Sequence, residues 1–466
     1  MLLYEQEVSL PVKHKHNGLL EYLSKEVLKQ IPVGKIPVRF VVTRTDSKEY
    51  HCELGVMSDI KYNFVPSQSS IFEFSRKNYE NTDQFNAVLL IPTGIDAAIG
   101  GHSGDGGPVA RLLGSACDTL ITHPNVVNAA DINELPENGL YVEGSIIARL
   151  LMGTVGLQKV RSNRLMLVMD KHEDEYFCEA TINSVSAARA AMGLDCPLIV
   201  KMDEKIRMDA LLSSSGRAVG KIEHLERLCE LLTDYRNQYD AVAISSLINL
   251  TNTTHLEYFS QETINPWGGV EAMLTHAVSM LFNIPSAHSP MMESKEIMNM
   301  GIGIVEPRKA AEAISLTFLH CILKGLHKSP RIVTNSSDFG RSGVLSAADI
   351  SCLVIPDGCI GLPTLAALEQ GIPVIAVKEN RNRMQNKLED LPFAPGKLFI
   401  VENYLEAVGM INALKAGVSP ESVRRPLNQT AVKEVDSVTR LLREKSTSEI
   451  IEFITEKDKK KKSKIS

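Results

Sequence analysis

The residues best suited to chemistry lie where apolar runs give way to glycine. The longest such stretch runs from Val88 to Arg111: an apolar segment to Pro92, then Thr93 and a loop with six glycines, Gly94, Gly100, Gly101, Gly104, Gly106 and Gly107. Pro108 opens a helical pattern, at a position where its missing N–H costs nothing. Free N–H groups at a helix start attract an anion, and glycine lets a ligand approach the backbone closely. Asp96, His102 and Asp105 in this loop could bind hydroxyls or carry protons, with His102 as a general base that Asp96 or Asp105 orients. The spacing is neither G-x-G-x-x-G nor a lysine-bearing phosphate loop, so no known nucleotide fingerprint is matched.

Four further clusters follow. Thr122-His123-Pro124-Asn125-Val126-Val127-Asn128 succeeds the next apolar run. In parallel sheets ligands gather beyond the carboxyl ends of strands. That rule sets His123, a second candidate base, and Asn125 and Asn128 beside the first loop. Leu140-Tyr141-Val142-Glu143-Gly144 puts Glu143 at another strand end. Asn265 to His276 holds the only Trp, Trp267, before Gly268 and Gly269, and opens a helix with Glu271 in its first turn. His276, on an otherwise apolar helix face, reads as a satisfied interior histidine. His255, His276 and His288 lack the spacing of H-E-x-x-H, and no metal is assigned. Asp357, Gly358 and Gly361 form the last cluster, within a strand, glycine turn, helix, glycine cap and strand.

Positioning these groups requires a regular scaffold. From Asn86, short apolar β-type runs such as Val88–Pro92, Thr119–Thr122, Leu165–Met169, Ala241–Ser245, Cys352–Ile355 and Val374–Val377 alternate with helical patterns. The runs lack in/out alternation, as expected of strands covered on both faces. Such alternation implies right-handed βαβ units. The fold class expected is therefore α/β: two Rossmann-like lobes with mostly parallel sheets, plus a small N-terminal α/β segment. The expected divisions are 1–85 for that segment and a connector, 86–300 for the first lobe, 301–430 for the second, and 431–466 for a helical, disordered Lys-rich end. Pro307–Leu323 reads as one helix.

Composition narrows the partners. The net charge of -6 conceals segregation, because the last ten residues hold six Lys and one Asp, leaving the rest at -11. An acidic body argues against a nucleic-acid grip. Eight scattered Cys without a C-x-x-C pair suit reduced thiols in a cytoplasmic protein. No apolar run is long enough for a bilayer span. Self-association is left open.

The stretches Pro92–Asp131, Leu140–Gly144 and Asn265–His276 resemble a family of bacteria, cyanobacteria and plants known only as a domain of unknown function. The resemblance runs from about residue 85 to 420 and implies no established activity. More weakly, Asp349–Val377 resembles the donor lobe of GT-B glycosyltransferases, which hold a nucleotide diphosphate, and the glycine turn of cytokinin-activating nucleoside-phosphate hydrolases. No acidic residue in this helix matches the ribose-binding one of GT-B enzymes, since Glu369 lies near its far end.

The expectation is thus an enzyme acting on a nucleotide, nucleotide-sugar or other phosphorylated small molecule in an interlobe cleft. Group transfer is favoured over hydrolysis or isomerisation, and the cofactor is unknown. The alternative is a non-catalytic binding or regulatory protein using the same cleft.

Overall fold

A computed structural model describes residues 1–12, 18–66, 68, 70–250, 252–341, 343–433, 452 and 454–456. The strand and helix alternation builds two parallel sheets. The larger runs in the order Leu398–Val401, Val374–Val377, Ile350–Pro356, Asn86–Leu89, Thr119–Thr122, Gly139–Tyr141. The smaller runs Leu198–Lys201, Leu165–Met169, Ala241–Leu247, Ser286–Met291. Central strands such as Asn86–Leu89, Leu165–Met169 and Val374–Val377 are buried throughout, which accounts for their continuous apolar character. The α/β class with two Rossmann-like lobes holds.

The chain is shared between the lobes differently from a cut near residue 300. The six-stranded sheet takes three strands from 86–141 and three from 350–401, and the four-stranded sheet lies within 165–291. Hydrogen bonds between Asn86–Leu89 and Ile350–Pro356 join the two ends. A local pattern reports that both segments are strands but not that they are neighbours.

A third sheet is antiparallel, in the order Arg207–Leu212, Ala218–Glu223, Leu2–Pro11, Glu49–Ser58, Ile36–Thr45, Ile360–Gly361. The N-terminal segment therefore does not stand apart: it pairs with a hairpin from 207–223 and with two residues near 360. Helix Leu19–Gln30 buries Leu19, Leu20, Leu23 and Val27, most of its apolar stripe.

Helix Gly268–Phe282 is the hinge of the architecture. It packs on the antiparallel sheet, on strand Ser286–Met291 and on helix Gly144–Leu151. Its start presses close to the sheet. A Cβ on Gly269 would lie 2.1 Å from the Ala218 carbonyl oxygen, so Gly269 serves this contact and not a ligand.

The stretch 307–323 is broken into Pro307–Lys309, Ala310–Ile314 and a new helix, His320–His327. The cause is distant in sequence. Asp131 Oδ1 accepts hydrogen bonds from the N–H groups of Leu319 (2.9 Å) and His320 (3.1 Å), capping the new helix from outside. Met1–Ala416 form one compact unit, and Gly417–Ser466 cluster separately. The Lys-rich end at 457–466 lies outside the described residues.

Candidate functional site

A cavity of about 380 Å³ follows one face of helix Gly268–Phe282, lined by Trp267, Gly268, Glu271, Ala272, Thr275, His276 and Met280. The spacing of these residues is that of one helical face. Three helices begin at its wall, through Gly144 and Ser145, Gly268, and Leu362 to Thr364. Its far end is apolar, with Met291, Met292, Met298 and Met300.

The central polar group is a carboxylate–imidazole pair. Glu143 leaves strand Gly139–Tyr141 and caps helix Gly144–Leu151, its Oε2 accepting from the Ser145 N–H at 2.9 Å and from the Ser145 hydroxyl. Glu143 Oε1 accepts from Thr275 Oγ1 at 3.4 Å and lies 2.5 Å from His276 Nδ1. Burial opposes the charge of Glu143, but adjacent His276 and the Ser145 donors outweigh it and hold its pKa below the usual carboxylate range. The His276–Glu143 contact is one of distance and charge: Nδ1 is buried with no hydrogen bond of good geometry among the described residues, and the ring lines the cavity. His276 is thus not the satisfied interior histidine expected.

Two more histidine–glutamate contacts lie along the same cavity. His288 Nδ1 is 3.4 Å from Glu271 Oε1, with Nε2 2.8 Å from Ser246 Oγ. His255 Nε2 is 3.4 Å from Glu293 Oε1. His123 is buried and its Nε2 accepts from the Ile91 N–H at 3.2 Å. Burial pushes its pKa down to about 4, so it is neutral. Glu312, also on the wall, is pushed up to about 7 by burial, against hydrogen bonds from Tyr258 and the Ser103 N–H. Among the described residues no group of three or more His, Cys, Asp or Glu is arranged to hold a metal ion.

Three arginines reach the wall. Arg39 and Arg217 are neutralised: Arg39 Nη2 lies 2.9 Å from Glu5 Oε2, and Arg217 pairs with Glu5 and, at 2.8 Å, with Glu53. Arg149 is different. Buried in the last turn of helix Gly144–Leu151, it donates from Nη2 to Asn283 Oδ1 at 2.8 Å, while Nε and Nη1 have no partner among the described residues.

Of the residues expected from sequence, Thr93, His123, Asn125, Asn128, Trp267, Gly268, Glu271 and Gly361 line the cavity. The glycine loop requires a correction: Asp96, His102 and Asp105 are not on this wall. Asp96 pairs with Arg383 at 3.0 Å on a part-exposed surface. Asp105 Oδ1 accepts from the Gly100 and His102 N–H groups and fastens the loop. His102 is buried, with Nδ1 3.0 Å from the Tyr258 hydroxyl, and burial lowers its pKa to about 4. Neither Asp hydrogen-bonds the His102 ring.

The loop glycines Gly94, Gly100, Gly101, Gly104, Gly106 and Gly107 face protein as well. A Cβ on Gly104 would lie 2.1 Å from that of Ala129. Gly106 and Gly107 back onto Val126 and Glu134, so this helix start is covered. Asp357 Oδ1 is spent on the Gly358 and Leu388 N–H groups. Trp267 both packs, edge-on to Tyr258 at 5.1 Å, and lines the cavity.

Sequence reasoning named Glu143 without giving it a role in the chemistry and left Arg149 out of the site. Glu143 had a signal, a carboxylate at a strand end before a helix. Arg149 had none, since it sits inside an ordinary helical pattern.

No helix of the described residues is long and apolar enough to cross a membrane. No solved structure matches the chain. An uncharacterized lipoprotein of Synechococcus sp. is 31% identical over 342 residues, covering 72% of this chain and 92% of that protein. The family model described as a protein of unknown function (DUF3326) matches residues 86–424, which include Glu143, Arg149, His276 and His288 but not Arg39. The chain belongs to this family.

Proposed function

We propose that this protein is an enzyme that binds an anionic small molecule in the cleft along Gly268–Phe282 and transfers a proton through His276. The observation that carries the reading is the Glu143–His276 contact of 2.5 Å within a cavity of about 380 Å³. A carboxylate held by Ser145 and Thr275 stands 2.5 Å from Nδ1 on one edge of the ring, which leaves Nε2 to take a proton from a hydroxyl or water and return it to a leaving group. The pocket's apolar wall with a few convergent polar groups is the common form of a small-molecule site.

A phosphorylated substrate, a nucleotide or nucleotide-sugar included, and group transfer to a bound acceptor are the favoured chemistry. The helix start at Leu362 offers N–H groups and a favourable dipole for its charge, while at Gly268 the dipole remains but the Trp267 and Gly268 N–H groups are held by Asn265 Oδ1. The buried free cysteines suit a reducing, cytoplasmic setting.

The test is a thermal-shift screen of the full chain against nucleotides, sugar nucleotides and phosphorylated metabolites. Any stabilising ligand is then followed by phosphorus NMR for turnover by wild type, Glu143→Gln and His276→Gln. Stabilisation with turnover lost in both variants is expected. A ligand that binds but is never consumed would favour the non-catalytic binding protein, and full turnover in both variants would remove the pair from the chemistry.

A further inference from the structure

Arg149 stands alone among the three wall arginines. Arg39 and Arg217 each face a glutamate within ion-pair distance, whereas Arg149 has none among the described residues; each of the three leaves Nε buried without a hydrogen-bond partner among those residues, and Arg149 leaves Nη1 so as well. The residue is 6% exposed and contributes to the cavity wall. A buried guanidinium carries five N–H donors and a charge that water no longer solvates, so leaving it unpaired is unfavourable. The charges of Glu143 and Glu73 act on it through space and favour its charged form. Burial lowers its pKa to about 10, which still leaves it charged at neutral pH. The Asn283 carbonyl oxygen fixes one corner of the fork and orients the rest.

We propose that Arg149 forms an oxyanion subsite at one end of the cleft, taking a carboxylate or phosphate group of the ligand through two parallel N–H···O hydrogen bonds. Planar, bidentate pairing is what a guanidinium offers that an ammonium does not.

This assignment deepens the reading above and rests on it only in that the cleft takes a small molecule; it does not need proton transfer by His276. The experiment measures thermal shift and calorimetric binding of two probes, inorganic phosphate and acetate, with sodium chloride at matched ionic strength. The proteins are wild type, Arg149→Met, Arg149→Lys and His276→Gln. Wild type and His276→Gln should be stabilised saturably by one probe, which separates phosphate from carboxylate. Arg149→Met should bind that probe at least tenfold more weakly, and Arg149→Lys should fall between. Without anion, Arg149→Met should melt no lower than wild type, because an unpaired buried charge has been replaced by a side chain of similar volume. A purely structural arginine would instead lower the melting temperature on replacement. No shift beyond the chloride control, equal binding by Arg149→Met, or a lower apo melting temperature with binding intact would each overturn the subsite. Loss of turnover in His276→Gln with anion binding retained would leave both proposals standing, whereas retained turnover would sink only the first.

Discussion

Two segments of one lobe treat their polar residues in opposite ways. The loop from Thr93 to Gly107 is dense in glycine, Asp and His, yet Asp105 and His102 are spent inside the protein: Asp105 Oδ1 holds the Gly100 and His102 N–H groups, its Oδ2 is buried without a partner among the described residues, and His102 meets Tyr258. The segment from Val142 to Leu151 reads as an ordinary strand end and helix. It nevertheless delivers Glu143 to His276 and leaves Arg149 unpaired in the cleft. Polar density marks a conformation that is hard to build, whereas chemistry needs polar groups on a cavity wall, where Glu143, His276 and Arg149 lie and Asp96, His102 and Asp105 do not. A tight turn needs internal hydrogen bonds to replace lost water, and those bonds use up the side chains that attract notice.

Substitutions can break this comparison. The largest effect should come from His276→Ala: once a substrate is in hand, kcat should fall by about 10²–10⁴-fold, with Glu143→Gln close behind. His102→Ala, measured on the same substrate, should lower the melting temperature but leave kcat within about threefold of wild type, less than 1 kcal/mol in barrier. If His102→Ala abolished turnover in a folded protein, the assignment of the two segments would be reversed.

Gly104→Ala comes next, as a test of packing. Its Cβ would collide with Ala129, and φ is +104°. A loss of about 1–3 kcal/mol is expected in denaturant unfolding.

Glu312 sharpens the comparison through pH. Its folded pKa, about 7, lies above that of an exposed carboxylate. The native state therefore holds a proton that the unfolded chain has released, and this contribution is lost as pH rises through about 7. Glu312→Gln removes that loss, so the melting temperature of the variant relative to wild type should climb between about pH 5 and 8. A pH-independent gap would show that Glu312 is ionised throughout. His102 and His123 have the opposite sign: neutral when folded, they withdraw stability as pH falls from about 6.5 towards 4. The smallest effect belongs to Asp96→Asn, which breaks a part-exposed pair with Arg383. A change of about 0–1 kcal/mol is expected, with turnover unaffected.

Much of the fold was legible. Strands Thr119–Thr122, Leu165–Met169 and Val374–Val377 occupy the expected residues because buried parallel strands need uninterrupted apolar runs. The site was legible in part. His123, Asn125, Asn128, Trp267 and Glu271 line the cleft because strand ends and helix starts are where loops expose side chains. His276 was misread, since an apolar helix face says nothing of the glutamate opposite, and Asp131 capping a helix near residue 320 has no local trace.

The sequence by itself determined the class of architecture, because hydrophobic periodicity and glycine punctuation are local properties of a chain. It also marked three places where a strand or loop gives way to a helix start. Only the tertiary structure decided which strands are neighbours, which helix starts face a cavity, and that Glu143 meets His276 while Arg149 meets no counter-ion. Those are contacts between distant segments. Their energies depend on burial and on whether a partner is present, and neither can be read before the chain is folded.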